Sequence, residues 1–158
     1  MTGKVKTALP AFLLVVGTCP PLPADTKAEN ILLHQRANGG GPKNYDRDKE
    51  LNQNAQKVLR ALKKRNDSTF DNGATHTEIR YLAKAFNQSG DPRYREAVLK
   101  GIELILNAQY ANGGWPQRFP NPSGYSAHIT FNDGAMIGVL AVLREVSMDK
   151  NTYPFVND

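Results

Sequence analysis

The chain of 158 residues is long enough for one domain or for part of a larger one. At 40% hydrophobic and 22% charged residues, it is neither a disordered tail nor a membrane-saturated protein. Its formal charge of +5 is carried by basic residues scattered except for Lys63-Lys64-Arg65, a pattern that argues against a nucleic-acid patch and suits a polyanionic partner without establishing one.

The opening segment reads as a leader. Lys4 and Lys6 sit in residues 1–7, an apolar run fills 8–17, and small and proline-rich residues lead to Ala24. That order describes a secretory signal peptide over residues 1–24, although Leu22 makes the cleavage site imperfect. The apolar run is shorter than the roughly 20 residues a membrane span needs. The expected location is therefore secreted or periplasmic. Cys19 offers lipoprotein anchoring as an alternative, but Val16-Gly17-Thr18 in front of it fits that signal poorly. Removal of Lys4 and Lys6 leaves 18 basic against 15 acidic residues, and the mature chain over 25–158 contains no cysteine. Disulfides, thiol chemistry and thiolate metal sites are then excluded.

From Thr26 onward the periodicity is helical. Residues 51–65 predict a helix with a thin apolar stripe, and Lys63-Lys64-Arg65 reads as its solvated end. Ile79, Leu82, Ala83 and Phe86 recur at three and four, which places them on one helical face. Asp91-Pro92 supplies a cap and a first-turn proline for the next helix, with Tyr94, Ala97, Val98, Ile102, Ile105 and Leu106 as its stripe. Met136, Val139, Leu140, Leu143 and Val146 mark a further helix. The predicted fold class is all-α, made of αα-hairpin repeats.

Internal repetition is the most informative feature. Gln35-Arg36-Ala37-Asn38-Gly39-Gly40-Gly41-Pro42 recurs as Gln109-Tyr110-Ala111-Asn112-Gly113-Gly114-Trp115-Pro116. Downstream, Thr69-Phe70-Asp71-Asn72-Gly73-Ala74 recurs as Thr130-Phe131-Asn132-Asp133-Gly134-Ala135. Repeating αα units close into toroids or stack into solenoids, and equivalent turns then gather on one face. Asp71-Asn72 and Asn132-Asp133 are expected to meet there.

Each Asx pair precedes an apolar-periodic helix, where Asp or Asn serves as an N-cap. A cap needs one residue and each copy has two, so a hard-cation site is the second reading, and both can hold together. Calcium takes six to eight oxygen ligands, of which these four residues supply about half; magnesium demands stricter octahedral geometry. His34, His76 and His128 lack zinc spacing. His34 reads as a packed or surface residue, while His76 and His128 are candidates to line the cleft. Gly39-Gly40-Gly41 lacks the strand and lysine of a phosphate loop and is a turn. Trp115, Tyr45, Phe119 and Tyr125 lie on the turn side, either to pack on sugar faces or to cover the loops' own core. Lys43 is a candidate to pair with a substrate carboxylate.

At these residues the chain resembles the family 10 polysaccharide lyases, the helical pectate lyases, over residues 35–46, 68–86, 91–120 and 128–146. The resemblance implies part of an (α/α)3-type toroid, Ca2+ as cofactor and polygalacturonate as substrate. It places Asp71, Asn72 and Asp133 at the metal, with Lys43, Asn72, Trp115 and His128 toward the substrate. The implied reaction is β-elimination, in which a proton leaves C5 and the C4–oxygen bond breaks while calcium neutralises the uronate carboxylate. Gly41 departs from the tryptophan common at its position. The family's base is an arginine expected beyond Asp158; Arg80, Arg118 and Arg144 do not match it, so the chain reads as a fragment with no catalytic residue of its own. Two rivals remain. One is an inverting glycoside hydrolase using Asp71 and Asp133, and the other is a non-catalytic acidic-glycan-binding αα-repeat protein.

Overall fold

The computed structural model describes residues 25–156; the leader over 1–24, with Cys19, lies outside the described residues. Five α-helices follow in order: α1 Thr26–His34, α2 Gln53–Ala61, α3 His76–Ser89, α4 Pro92–Asn107 and α5 Ala135–Met148. Short 3-10 turns occupy Leu62–Lys64, Asp71–Gly73, Gly124–Ala127 and Asn132–Gly134. No strand forms among the described residues, where only isolated bridges join Thr69 to Arg118 and Pro116 to Ile129. None of the described helices is long and apolar enough to cross a membrane.

Helix starts obey local chemistry. The side chains of Asp25, Asn52 and Asp91 accept from the backbone N–H of Ala28, Ala55 and Arg93, which satisfies donors that a first turn leaves unpaired. Pro92 follows Asp91 as the first helical residue. Gly90 ends α3 at φ 71°, a left-handed C-cap.

Helix α3 is central and packs against α1, α4 and α5. Its stripe of Ile79, Leu82 and Ala83 is buried together with Val98, Ile102 and Ile105 of α4 and Val139 and Val142 of α5. Each large apolar side chain among them contributes about 1.5–3 kcal/mol by leaving water. Leu106 and Leu140, expected on the buried stripes, are instead exposed. Among the described residues nothing covers that side of α4 or α5. The Lys63 reading also changes. Its ammonium reaches back to the carbonyls of Leu32 and Gln35, so it caps the C-terminus of α1 rather than standing in solvent.

The two Asn-Gly-Gly turns fold identically, bond for bond. The N–H groups of Gly39 and Gly113 donate to the carbonyls of Arg36 and Tyr110, while Gln35 and Gln109 donate from Nε2 to the carbonyls of Gly39 and Gly113. The side chains of Asn38 and Asn112 accept from Gly40 and Gly114. Gly39 at φ 94° must be glycine, because a Cβ there would also overlap the Lys100 carbonyl of α4.

Candidate functional site

The second pair of repeated elements forms the rim. Asp71–Gly73 and Asn132–Gly134 are matching 3-10 turns that lie against one another, with Cα atoms within 8 Å despite their separation in sequence. Asn72 stands at φ 50°, ψ 36° and Asp133 at φ 52°, ψ 24°, left-handed conformations that Asn and Asp tolerate best among residues with a Cβ. Gly73 and Gly134 follow at φ 75° and 70°, so two successive left-handed residues turn the chain into the helix. In both copies the threonine Oγ1, of Thr69 or Thr130, accepts from the N–H of the turn's first Asx residue at 3.2 Å.

The capping reading is corrected by this geometry. Helix α3 is preceded by Thr75 and α5 by Gly134, and neither Asx pair caps a helix. The turn itself, not a helix, holds the backbone of each pair, so none of these side chains is used on a helix N-terminus.

The carboxylates occupy opposite places in the two turns, first in one and second in the other. Asp71 is 2% exposed. Its Oδ2 takes an ion pair from Lys43 Nζ, while its Oδ1 is buried with no partner among the described residues. A buried carboxylate oxygen without a donor is costly, and a ligand that supplies positive charge there would relieve the cost. Asn72 is exposed, and its amide donates to Asn44 Oδ1 at 3.0 Å. Asp133 is exposed beside it. Oxygen donors of this kind suit a hard divalent ion such as calcium, although no three His, Cys, Asp or Glu side chains gather into a metal-binding group among the described residues. Asp71, Asn72 and Asp133 offer side-chain oxygens on this rim, fewer than the six to eight that a calcium ion takes.

The other expected residues divide. Lys43 is on the rim, and His128 is exposed on the segment leading to the second turn. Trp115 is not available as an open sugar platform. It is 3% exposed and its indole N–H donates to the Ile105 carbonyl at 2.7 Å, closing the end of α4, so the alternative of a core-covering ring holds. Tyr45 lies flat on His34, with ring centroids 3.7 Å apart, and donates to Glu78. Tyr125 and Phe131 remain as exposed rings beside the second turn, and Asn132 donates to the Tyr125 hydroxyl at 3.0 Å. Phe131 and its repeat partner Phe70 look alike in the sequence, yet Phe70 is buried and Phe131 exposed.

His76 does not line the rim. It is the first residue of α3 and is buried against Gly138 of α5, where a Cβ would overlap its ring. Burial, aided by the Arg80 charge, pulls its pKa down to about 4, so the imidazole is neutral near pH 7.

Glu78 was missed. It is 4% exposed and collects the Tyr45 hydroxyl, the Arg47 guanidinium and the Thr75 N–H. In the sequence it looks like an ordinary helical glutamate. Only the three-residue spacing from Thr75, a capping-box spacing, pointed to it.

Helical hairpins that bring repeated acidic turns to one rim define an αα-repeat protein with an oxygen-rich site. The family follows from comparison. Residues 35–158 match the family described as pectic acid lyase, and the chain belongs to that family. Among solved structures, a family 10 polysaccharide lyase from Cellvibrio cellulosa is 33% identical over 84% of this chain, with a TM-score of 0.69. An aspartate-to-alanine mutant of the family 10 polysaccharide lyase from Cellvibrio cellulosa, in complex with trigalacturonic acid, is 34% identical over 84% of this chain with a TM-score of 0.73. This chain spans 39% of the length of each. Its hairpins accordingly form part of an α/α toroid. No curated protein matches the chain.

Proposed function

We propose that this chain supplies the calcium- and uronate-binding half of a pectate lyase site, in an exported protein that cleaves polygalacturonate by β-elimination. The carrying observation is the unpartnered Oδ1 of Asp71 on a rim shared with the Asp133 turn. Asp71, Asn72 and Asp133 would hold the ion. When bound, calcium would neutralise a galacturonate carboxylate and favour loss of the C5 proton. Lys43, already drawn to the rim by Asp71, pairs with a second anionic oxygen as the substrate arrives. The exposed Tyr125 and Phe131 rings offer apolar surface to sugar faces. The catalytic base is an arginine from the portion of the family protein that this chain does not span, and the trigalacturonate complex of the Cellvibrio relative supports the choice of ligand.

Calorimetric titration with trigalacturonate, with and without calcium chloride, tests the reading. Binding is expected only with calcium. Asp133→Asn, which keeps a residue tolerant of the left-handed turn, should weaken it at least about tenfold with the thermal midpoint unchanged. Equal affinity in chelator, or in the variant, would sink the metal site. Saturated products in place of ultraviolet-absorbing unsaturated uronates from a complete family protein carrying this half would favour the hydrolase rival.

A further inference from the structure

The loop over residues 41–49 brings two side chains to the rim and is tied down everywhere else. Gly41 donates its N–H to Thr75 Oγ1 at 3.0 Å and accepts at its carbonyl from Thr69 at 3.1 Å. Tyr45 donates its hydroxyl to Glu78 Oε1 at 2.8 Å, and Arg47 donates to the same oxygen at 3.0 Å. Arg47 also stacks over the Tyr45 ring at 4.8 Å, with His34 of α1 against the ring at 3.7 Å. Asn30 of α1 donates to the carbonyls of Arg47 and Lys49. Lys43 and Asn44 are the two residues whose side chains reach the 71–73 turn, at Asp71 and Asn72.

Glu78 is the centre of these ties. Its Oε2 accepts from the N–H of Thr75, a β-branched residue held at φ 63°, ψ −63°, where it is strained unless its surroundings dictate the conformation. The same carboxylate fills the space a side chain at Gly41 would need. A buried carboxylate with three donors from two segments is a joint between them: Oε1 holds both loop donors and Oε2 the N–H of Thr75.

We propose that Glu78 is a positioning residue: from inside the fold it fixes the 41–49 loop in the register that delivers Lys43 to Asp71 and Asn44 to Asn72. Both of its oxygens are taken by donors of the chain itself. Its effect on uronate binding rests on the function proposed above; its effect on Lys43 does not.

Two readouts separate them. Lys43 acylation by an amine-reactive ester, followed by mass spectrometry, reports the Lys43–Asp71 pair without substrate. Tyr45→Phe, which removes one hydroxyl and keeps the ring on His34, should raise the Lys43 rate about three- to tenfold while Lys57 and Lys84 stay unchanged. Glu78→Gln should raise it further if it folds; Tyr45→Phe carries the test if it does not. Trigalacturonate affinity with calcium should fall by a similar factor, and the loss should not add to that of Lys43→Ala. An unchanged Lys43 rate in folded Tyr45→Phe, or losses additive with Lys43→Ala, overturns the proposal. A raised Lys43 rate in a protein that never binds trigalacturonate supports the positioning role and overturns the proposed function alone.

Discussion

His76 couples stability to pH through a single buried ring. Its folded pKa of about 4 lies below the ordinary 6.5, so protons bind the unfolded chain more readily. The stabilising effect of keeping it neutral is complete above about pH 6.5 and is lost as pH falls toward 4. Wild type should lose on the order of 2 kcal/mol more than His76→Phe across that window, as read from urea unfolding at several pH values. Parallel curves for the two proteins would contradict the assignment. Gly41 makes a sharper residue-scale claim. Gly41→Ala places a methyl on the Glu78 carboxylate and should cost about 2 kcal/mol or more in the same assay, with no φ penalty to confuse it. The sequence marked both residues but not the buried neighbours that give them these roles. His76 reads there as a cleft candidate and Gly41 as a lost aromatic surface, because burial and through-space neighbours leave no mark on local spacing.

At the scale of elements, capping and periodicity were legible and their exceptions were tertiary. Asp91-Pro92 announced α4, and the repeated Gln-x-Ala-Asn-Gly-Gly runs announced two equal turns, since both depend on contacts within a few residues. Lys63 shows the limit. It was read as solvated because its neighbours in sequence are polar; it instead closes the end of α1, which lies roughly thirty residues earlier. Lys63→Met keeps most of the aliphatic stem and removes the donors to Leu32 and Gln35. It should lower stability by about 1–2 kcal/mol, measured by chemical denaturation, with the first loss of amide protection at the α1 C-terminus. The Asx pairs were misplaced as caps for a related reason. Spacing located them beside a helix, but it carries no sign of the left-handed backbone at Asn72 and Asp133, which holds each pair in a turn of its own ahead of the helix.

The whole molecule is an asymmetric pair of repeats. Phe70 in the first copy is 1% exposed and Phe131 in the second is 67% exposed, although the local sequence around them is nearly the same. Phe70 joins the buried core cluster, whereas Phe131 stays outside it. Helix α5 carries the same contrast on its two faces. Val142→Ala on the inner face should cost about 1–3 kcal/mol, whereas Leu140→Lys on the outer face, 47% exposed, should change stability by less than about 0.5 kcal/mol. Comparable losses would mean that the outer face is packed in solution.

Length, charge, helical periodicity and the doubled motif were enough, read alone, to establish an all-helical repeat protein and to bring Asp71-Asn72 and Asn132-Asp133 to one rim. Those properties are local, or are copies of one local pattern, so they survive without coordinates. Tertiary structure alone decided which Asx oxygen is buried and unpaired, which aromatic rings face outward, and that a glutamate inside α3 governs a loop more than thirty residues before it. Burial and long-range hydrogen bonding join residues that the chain keeps far apart, and no spacing rule encodes that distance.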